Sequence, residues 1–230
     1  MANTLSDLQT RLGHTFSDSA LLELALTHRS AGSANNERLE FLGDSLLNCV
    51  VASELYQLKP DLSEGELSRL RSTLVRGSTL AELAKEIALA DHLKMGQGEL
   101  RSGGFARESI QADAVEALLG AVYLDAGFAA CRDVITRLLA QRFANLPSVG
   151  ALKDPKTQLQ EWLQGRGLAL PSYHLVRSSG KDHERVFWVA CEVEHPALRV
   201  EAQGASRRKA EQSAAADVLT ALRAMPGVPS

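Results

Sequence analysis

Asn36-Glu37-Arg38-Leu39-Glu40-Phe41-Leu42-Gly43-Asp44-Ser45 is the stretch whose reading decides the fold. Leu39, Leu42, Leu46 and Cys49/Val50 recur at helical spacing without a proline, so the segment predicts a helix. Glu37, Glu40 and Asp44 fall within about 60° of one another on roughly the opposite side of that helix. Carboxylates sharing a face repel, and the arrangement costs stability unless a cation compensates. A solvated acidic surface is the plain alternative.

A second segment of the same kind is Asp113-Ala114-Val115-Glu116-Ala117-Leu118-Leu119-Gly120. Asp113 and Glu116 are i, i+3, with Ala117 and Gly120 beside them, small enough to let another helix approach closely. Two such helices can pair so that Glu40, Asp44, Asp113 and Glu116 converge. Hard oxygen ligands of this type suit Mg²⁺ or Mn²⁺ and are poor for zinc, which prefers imidazole and thiolate. An all-carboxylate site leaves coordination positions open for water and phosphate oxygens, as metal-assisted phosphodiester hydrolysis requires.

With both acidic segments in view, the ten residues from Asn36 to Ser45 resemble the signature of the ribonuclease III family, endonucleases that cut double-stranded RNA. The resemblance extends through Glu64-Gly65-Glu66-Leu67-Ser68-Arg69 and Glu108-Ser109-Ile110 into Asp113–Gly120, and on to the C-terminal region. It covers nearly the whole chain and matches the short bacterial form. It implies a homodimeric, Mg²⁺-dependent enzyme, with Mn²⁺ able to substitute and no small-molecule cofactor. Glu40, Asp44, Asp113 and Glu116 are the implied metal ligands; Asp44 and Glu116 carry catalysis, with Glu37 and Glu64 in supporting roles. The implied products end in 5′-phosphate and 3′-hydroxyl, with two-nucleotide 3′ overhangs from paired cuts. Processing of ribosomal precursors and other structured transcripts, messenger and transfer RNA among them, is the implied setting. Two-fold symmetry would let paired sites address both strands. Phe41 is a candidate for the subunit contact, although periodicity is equally compatible with a core position.

A chain of 230 residues with 45% apolar composition can form one large or two modest domains. No apolar run follows a basic N-terminal segment and none approaches 18 residues, so secretion and membrane spanning are not expected, and a cytoplasmic location is. Cys49, Cys131 and Cys191 are far apart within apolar periodic stretches and read as buried free thiols. The net charge of −3 conceals an asymmetry: residues 1–150 carry a net −5 and residues 151–230 a net +2. The basic half is the place to look for phosphate contacts.

In the first half, a short helix and turn is expected over residues 3–16. Ser17 or Asp18 can cap a second helix ending near Thr27-His28. His28 beside Arg29 reads as a structural hydrogen-bonding residue rather than a base or ligand. The signature helix should run to about Leu58, and Ser63 with Glu66 has the form of a capping box opening the next helix at Glu64. Glu64 then gains a purely local role in the first turn, where negative charge is favourable. Gly77-Ser78 reads as a turn, Thr79 with Glu82 as a second capping box, and the Gly-rich residues 91–107 as a loop. Asp125-Ala126-Gly127 should break the acidic helix before a last one at approximately 129–143. The domain expected over residues 1–146 is helical throughout.

Residues 147–152 read as a linker, and the pattern then changes. A helix after Asp154-Pro155, strands at Tyr173–Val176, Val186–Val193 and Leu198–Ala202, and a helix over Ser206–Leu222 give the order α-β-β-β-α across 153–224. Two helices can cover one face of such a sheet. That order resembles the double-stranded-RNA-binding domain, with Gly204–Ala215 as the matching motif. Arg207, Arg208 and Lys209 at a helix start can act with its free N–H groups on phosphate. The resemblance adds Thr157, Gln158 and Glu161 on the first helix and His195 in a loop between strands. The fold class is therefore an all-α endonuclease domain followed by a small α+β domain. Two rivals are an RNA-binding scaffold without cleavage and a helical metal protein acting on small phosphorylated molecules. Every expected acidic ligand is present, against the first; the second leaves the α-β-β-β-α half unexplained.

Overall fold

The computed structural model describes residues 4–148, 150, 153–181 and 185–225. The chain forms two compact units that meet in sequence at Pro147 and Ser148. Part of the expected linker, residues 149, 151 and 152, lies outside the described residues.

The first unit is helical: α1 (Leu5–Leu12), α2 (Ser19–Ala25), α3 (Glu37–Leu58), α4 (Glu64–Val75), α5 (Gly77–Glu86), α6 (Gln97–Arg101), α7 (Glu108–Leu138) and α8 (Ala140–Ala144). Local chemistry sets the starts of α1, α2 and α4. Thr4 and Asp7 form a reciprocal cap on α1, and Asp18 caps α2. The Ser63 N–H donates to Glu66 Oε2 at 2.9 Å, so the expected box opens α4.

Helix α7 is the centre of the unit, packed against α2, α3 and α5. By length and mean hydropathy of 1.5 over an 18-residue window it could cross a membrane, yet half of that window is buried within the unit. Gly127, at φ 82°, interrupts it where the break was expected, a conformation that glycine adopts without a Cβ penalty. Just before the break, the Asp125 carboxylate accepts hydrogen bonds from the Ser17 and Asp18 N–H groups and pairs with His14, tying α7 to the start of α2.

Several local expectations need correction. Helix α5 begins at Gly77, before Thr79. Thr79 is buried and donates to the Thr73 carbonyl at 2.9 Å instead of capping, while Glu82 pairs with Arg142. Tertiary contacts overrode the box. Residues 91–107 contain α6 and short 3-10 turns at Leu89–His92 and Gly104–Ala106, so this stretch is more ordered than its glycines suggested. Cys49 is exposed, unlike Cys131 and Cys191, because it lies away from the α3 face that meets α7.

The second unit comprises α9 (Pro155–Gln164), β1 (Ser172–Ser179), β2 (Val186–Val193), β3 (Leu198–Gly204) and α10 (Arg207–Ala224). The sheet is antiparallel in the order β1-β2-β3, with Cys191 opposite both Tyr173 and Val200. Leu159 and Leu163 of α9, Cys191 and Val193 of β2, and Ala214, Ala215, Val218 and Leu222 of α10 form its core. The expected α-β-β-β-α order is present.

Candidate active site

The carboxylates are positioned by a glycine contact. A Cβ built on Gly43 of α3 would lie 1.7 Å from the Glu116 carbonyl oxygen, and one built on Gly120 of α7 would lie 2.3 Å from the Leu39 carbonyl oxygen. Backbone therefore touches backbone where α3 crosses α7. The buried face of α3 is accordingly Leu39, Gly43, Leu47, Val50, Val51 and Leu55; of the stripe expected from sequence it keeps Leu39 and Val50, while Leu42 and Leu46 are only partly buried and Cys49 is exposed. Asn36 is nine-tenths buried or more, and its side chain donates to the Ala25 carbonyl at 3.4 Å, fixing the start of α3 against the end of α2.

Along this crossing Glu40, Asp113 and Glu116 each offer a carboxylate oxygen, all within 4.8 Å of one another. Burial, then the charges of Asp44, Asp113 and Glu40, push Glu116 up to about 8. Burial followed by the charge of Asp113 also raises Glu40; burial raises Asp113, with the nearby Arg29 guanidinium among the groups that oppose the rise. Asp44 stands beside this trio, its Oδ1 accepting from the Asn48 amide at 2.8 Å. Partly buried acids, all raised by burial and two of them also by neighbouring carboxylates, form a donor set that fits a hard divalent cation.

Glu37 and Glu40 line a cavity of ≈ 280 Å³ together with His28, Arg29, Glu99, Arg107, Ser109 and Asp113. Arg29 lies 3.5 Å from Glu37 and Arg107 2.9 Å from Glu99. Glu64 is elsewhere. It is exposed, accepts from Ser68 Oγ at 3.0 Å, and lines a different cavity with Leu55, Tyr56 and Arg71. Within one copy of the chain, the supporting role expected for Glu64 in the acidic cluster has no geometric basis.

Residues 18–143 match the family model described as ribonuclease-III-like. The chain belongs to the ribonuclease III family. Residues 155–222 match a second model, the double-stranded RNA binding motif. Ribonuclease 3 of Dechloromonas aromatica is 55% identical over 221 residues, covering 96% of this chain and all of that protein. Ribonuclease 3 of Vibrio cholerae is 51% identical over 222 residues, covering 96% and 99%. A solved nuclease domain of ribonuclease III from Campylobacter jejuni, described as having a flexible region involved in dimer formation, superposes with a TM-score of 0.60 at 40% identity. It covers 62% of this chain and 100% of that one. The protein is thus an endoribonuclease by family.

For this ribonuclease III family member, sequence reasoning missed Asn48, Glu99 and Arg107, and gave Ser109 no individual role. The 91–107 stretch was read as a loop, which concealed the first wall of the cavity. The Gln111 amide donates to the Phe105 carbonyl at 2.7 Å, pinning the turn that delivers Arg107.

In the RNA-binding-motif unit, the structure brings Thr157 into one cavity with Lys156, Arg207 and Arg208. Ser206 caps α10 by accepting from the Lys209 N–H at 3.2 Å. Arg207 pairs with Glu211 at 3.0 Å, while Lys209 is exposed and has no ion pair among the described residues. Glu161 is held by Lys153 at 2.6 Å, and the Gln158 amide donates to the Lys153 carbonyl at 2.8 Å. His195 lies in the β2–β3 turn, beside Glu194. The β1–β2 connection carries Lys181 and Arg185 against Asp182 and Glu184, and its residues 182–184 lie outside the described residues.

Proposed function

We propose that this endoribonuclease hydrolyses double-stranded RNA at the Glu40–Asp44–Asp113–Glu116 cluster, leaving 5′-phosphate and 3′-hydroxyl ends. The observation that carries the reading is the convergence of Glu40, Asp113 and Glu116 within 4.8 Å on two helices locked together at Gly43 and Gly120. Those three residues would hold Mg²⁺, or Mn²⁺ in its place, with Asp44 completing the set. When bound, the ion supplies an activated water and stabilises charge developing at phosphorus. The chain's own part is to hold the acids at fixed spacing and to keep Glu116 half-buried, so that its charge is balanced by the cation rather than by solvent. Asn48 holds Asp44, and Glu37 steadies Arg29 at the cavity edge.

In the second unit, Thr157, Gln158 and Glu161 on α9 and Arg207, Arg208 and Lys209 on α10 would meet the duplex by backbone and 2′-hydroxyl contacts across its grooves. His195, in the β2–β3 turn, is assigned to the same surface. The enzyme acts as a homodimer in this reading. Phe41 is 77% exposed and Tyr56 73% exposed on the α3 face away from α7, where a second copy would cover them. The Campylobacter domain's dimer-forming region supports that assignment. Processing of ribosomal and other structured transcripts in the cytoplasm is the setting that follows.

The test is cleavage of a long RNA duplex in Mg²⁺, beside matched single-stranded RNA and DNA duplex. Cutting of the RNA duplex alone, stopped by EDTA, is expected. Equal cutting of single strands, or cleavage that persists in EDTA, contradicts the reading.

A further inference from the structure

The cavity that Glu37, Glu40 and Asp113 share contains one ring whose orientation is fixed by a hydrogen-bond chain. The Gly96 N–H donates to Ser30 Oγ at 3.0 Å, and Ser30 Oγ lies 2.8 Å from His28 Nδ1. The Ser30 N–H donates to the same His28 Nδ1 at 3.2 Å. A backbone N–H can only donate, so Nδ1 acts as the acceptor of this pair. Ser30 Oγ, already accepting from Gly96, turns its own hydrogen to Nδ1. The ring proton therefore sits on Nε2.

The segment bearing this ring is held on both sides. The Lys94 N–H donates to the Leu26 carbonyl at 2.8 Å and the His28 N–H to the Lys94 carbonyl at 2.9 Å, giving a parallel bridge between Thr27 and Lys94. A Cβ on Gly96 would lie 2.2 Å from the Ser30 carbonyl oxygen, so the two strands cannot be closer. His28 Nε2 has no hydrogen-bond partner among the described residues.

The cavity is acidic, and an RNA phosphate entering it needs donors. Arg29 is engaged by Glu37 and Arg107 by Glu99. Asn36 is committed to the Ala25 carbonyl. Both guanidinium groups keep further N–H groups facing solvent, but of the lining donors the His28 Nε2–H is the one that a chain of hydrogen bonds orients. His28 lines the same cavity as Glu40 and Asp113, which places the ring beside the carboxylate cluster.

We propose that His28 is an RNA-contacting residue of the cleavage site, its Nε2–H donating to a non-bridging oxygen of the phosphodiester held at the carboxylates. This rests on the nuclease reading above and revises the purely structural role that the sequence suggested for His28. The Gly96–Ser30–His28 chain fixes which nitrogen carries the hydrogen.

The test uses single-turnover cleavage of duplex RNA by the full chain, with enzyme saturating, across a Mg²⁺ titration. His28→Ala should slow cleavage about 10- to 100-fold, the size expected for a lost hydrogen bond to a charged group. Its Mg²⁺ half-saturation should be unchanged. His28→Gln, whose amide nitrogen reaches the Nε2 position, should recover most of the rate; His28→Asn, which reaches only the Nδ1 position, should not. Thermal midpoints of the three variants report folding. A rate within twofold of the unaltered chain for His28→Ala overturns the proposal. So does a Gln variant that folds normally yet is no faster than Ala, or a rise in Mg²⁺ half-saturation that accounts for the loss. Failure of the unaltered chain to cut duplex RNA is a different result, because it removes the nuclease reading itself.

Discussion

Glu116→Gln is expected to lower duplex-RNA cleavage by about 10³-fold or more while leaving duplex binding largely intact. Charge stabilisation by a catalytic cation contributes several kcal/mol, and each 1.36 kcal/mol is a factor of ten in rate. The proposed reading assigns most of the binding to the unit that matches the double-stranded RNA binding motif, so binding should survive. Loss of cleavage and binding together would point to misfolding instead.

The same substitution carries a pH signature. Burial first, then the neighbouring carboxylates, raise Glu116 from 4.5 to about 8 in the folded chain. Below 4.5 the group is protonated whether folded or unfolded. Between 4.5 and 8 the folded state keeps a proton that the unfolded state has released, so stability falls as pH rises. Metal-free protein should therefore melt at progressively lower temperature from pH 5 to 9, and the Gln variant should lose part of that slope. Added Mg²⁺ should raise the midpoint of the unaltered chain more at pH 8.5 than at pH 6, because the cation then meets ionised acids. A Mg²⁺ shift independent of pH, or equally large in the variant, would contradict this.

Gly43→Ala is expected to have the second large effect. Its Cβ would sit 1.7 Å from the Glu116 carbonyl oxygen and 2.6 Å from that carbonyl carbon, both of them backbone atoms that cannot rotate aside. The helices must separate. Overpacking of this kind costs about 3 kcal/mol, which corresponds to roughly 6–12 °C in melting midpoint for a chain of this size. Cleavage should fall further than stability explains, because about 1 Å of displacement at a catalytic site costs on the order of 10²-fold. Gly65→Ala is the control. At Gly65 the nearest atom to an added Cβ is Arg69 Nη1 at 3.7 Å, an ordinary contact, and alanine favours the helix. Midpoint measurements on both variants, with single-turnover rates below the melting range, check the prediction. A Gly43→Ala protein as stable and active as the control would remove the close crossing from the account.

That crossing also shows what the sequence could and could not convey. The acidic spacing of Glu37, Glu40 and Asp44 and of Asp113 and Glu116 was legible, because helical periodicity alone sets which side chains share a face. Gly120 was recognisable as a point of close approach. Gly43 was not, since a glycine contributes nothing to an apolar stripe and its importance appears only against Glu116, far along the chain. The expected stripe therefore included Leu39 and Val50 correctly but took Leu42 and Leu46 where Gly43 and Leu47 are buried. Thr79 misled for a related reason: its capping pattern was real, but burial and the Thr73 carbonyl outcompeted it. Glu64 was grouped with the other acids by resemblance, and the fold of a single copy separates it from them. The α-β-β-β-α order was legible because alternation in β2 and the glycines after α9 mark boundaries locally.

The most direct measurement is the position of a divalent cation in crystals of the full chain grown with Mn²⁺, located by anomalous scattering. A peak coordinated by Glu40, Asp113 and Glu116, lost in Glu116→Gln, is the predicted result. An active, Mn²⁺-loaded protein whose ion lies away from those three carboxylates would contradict the account at its centre.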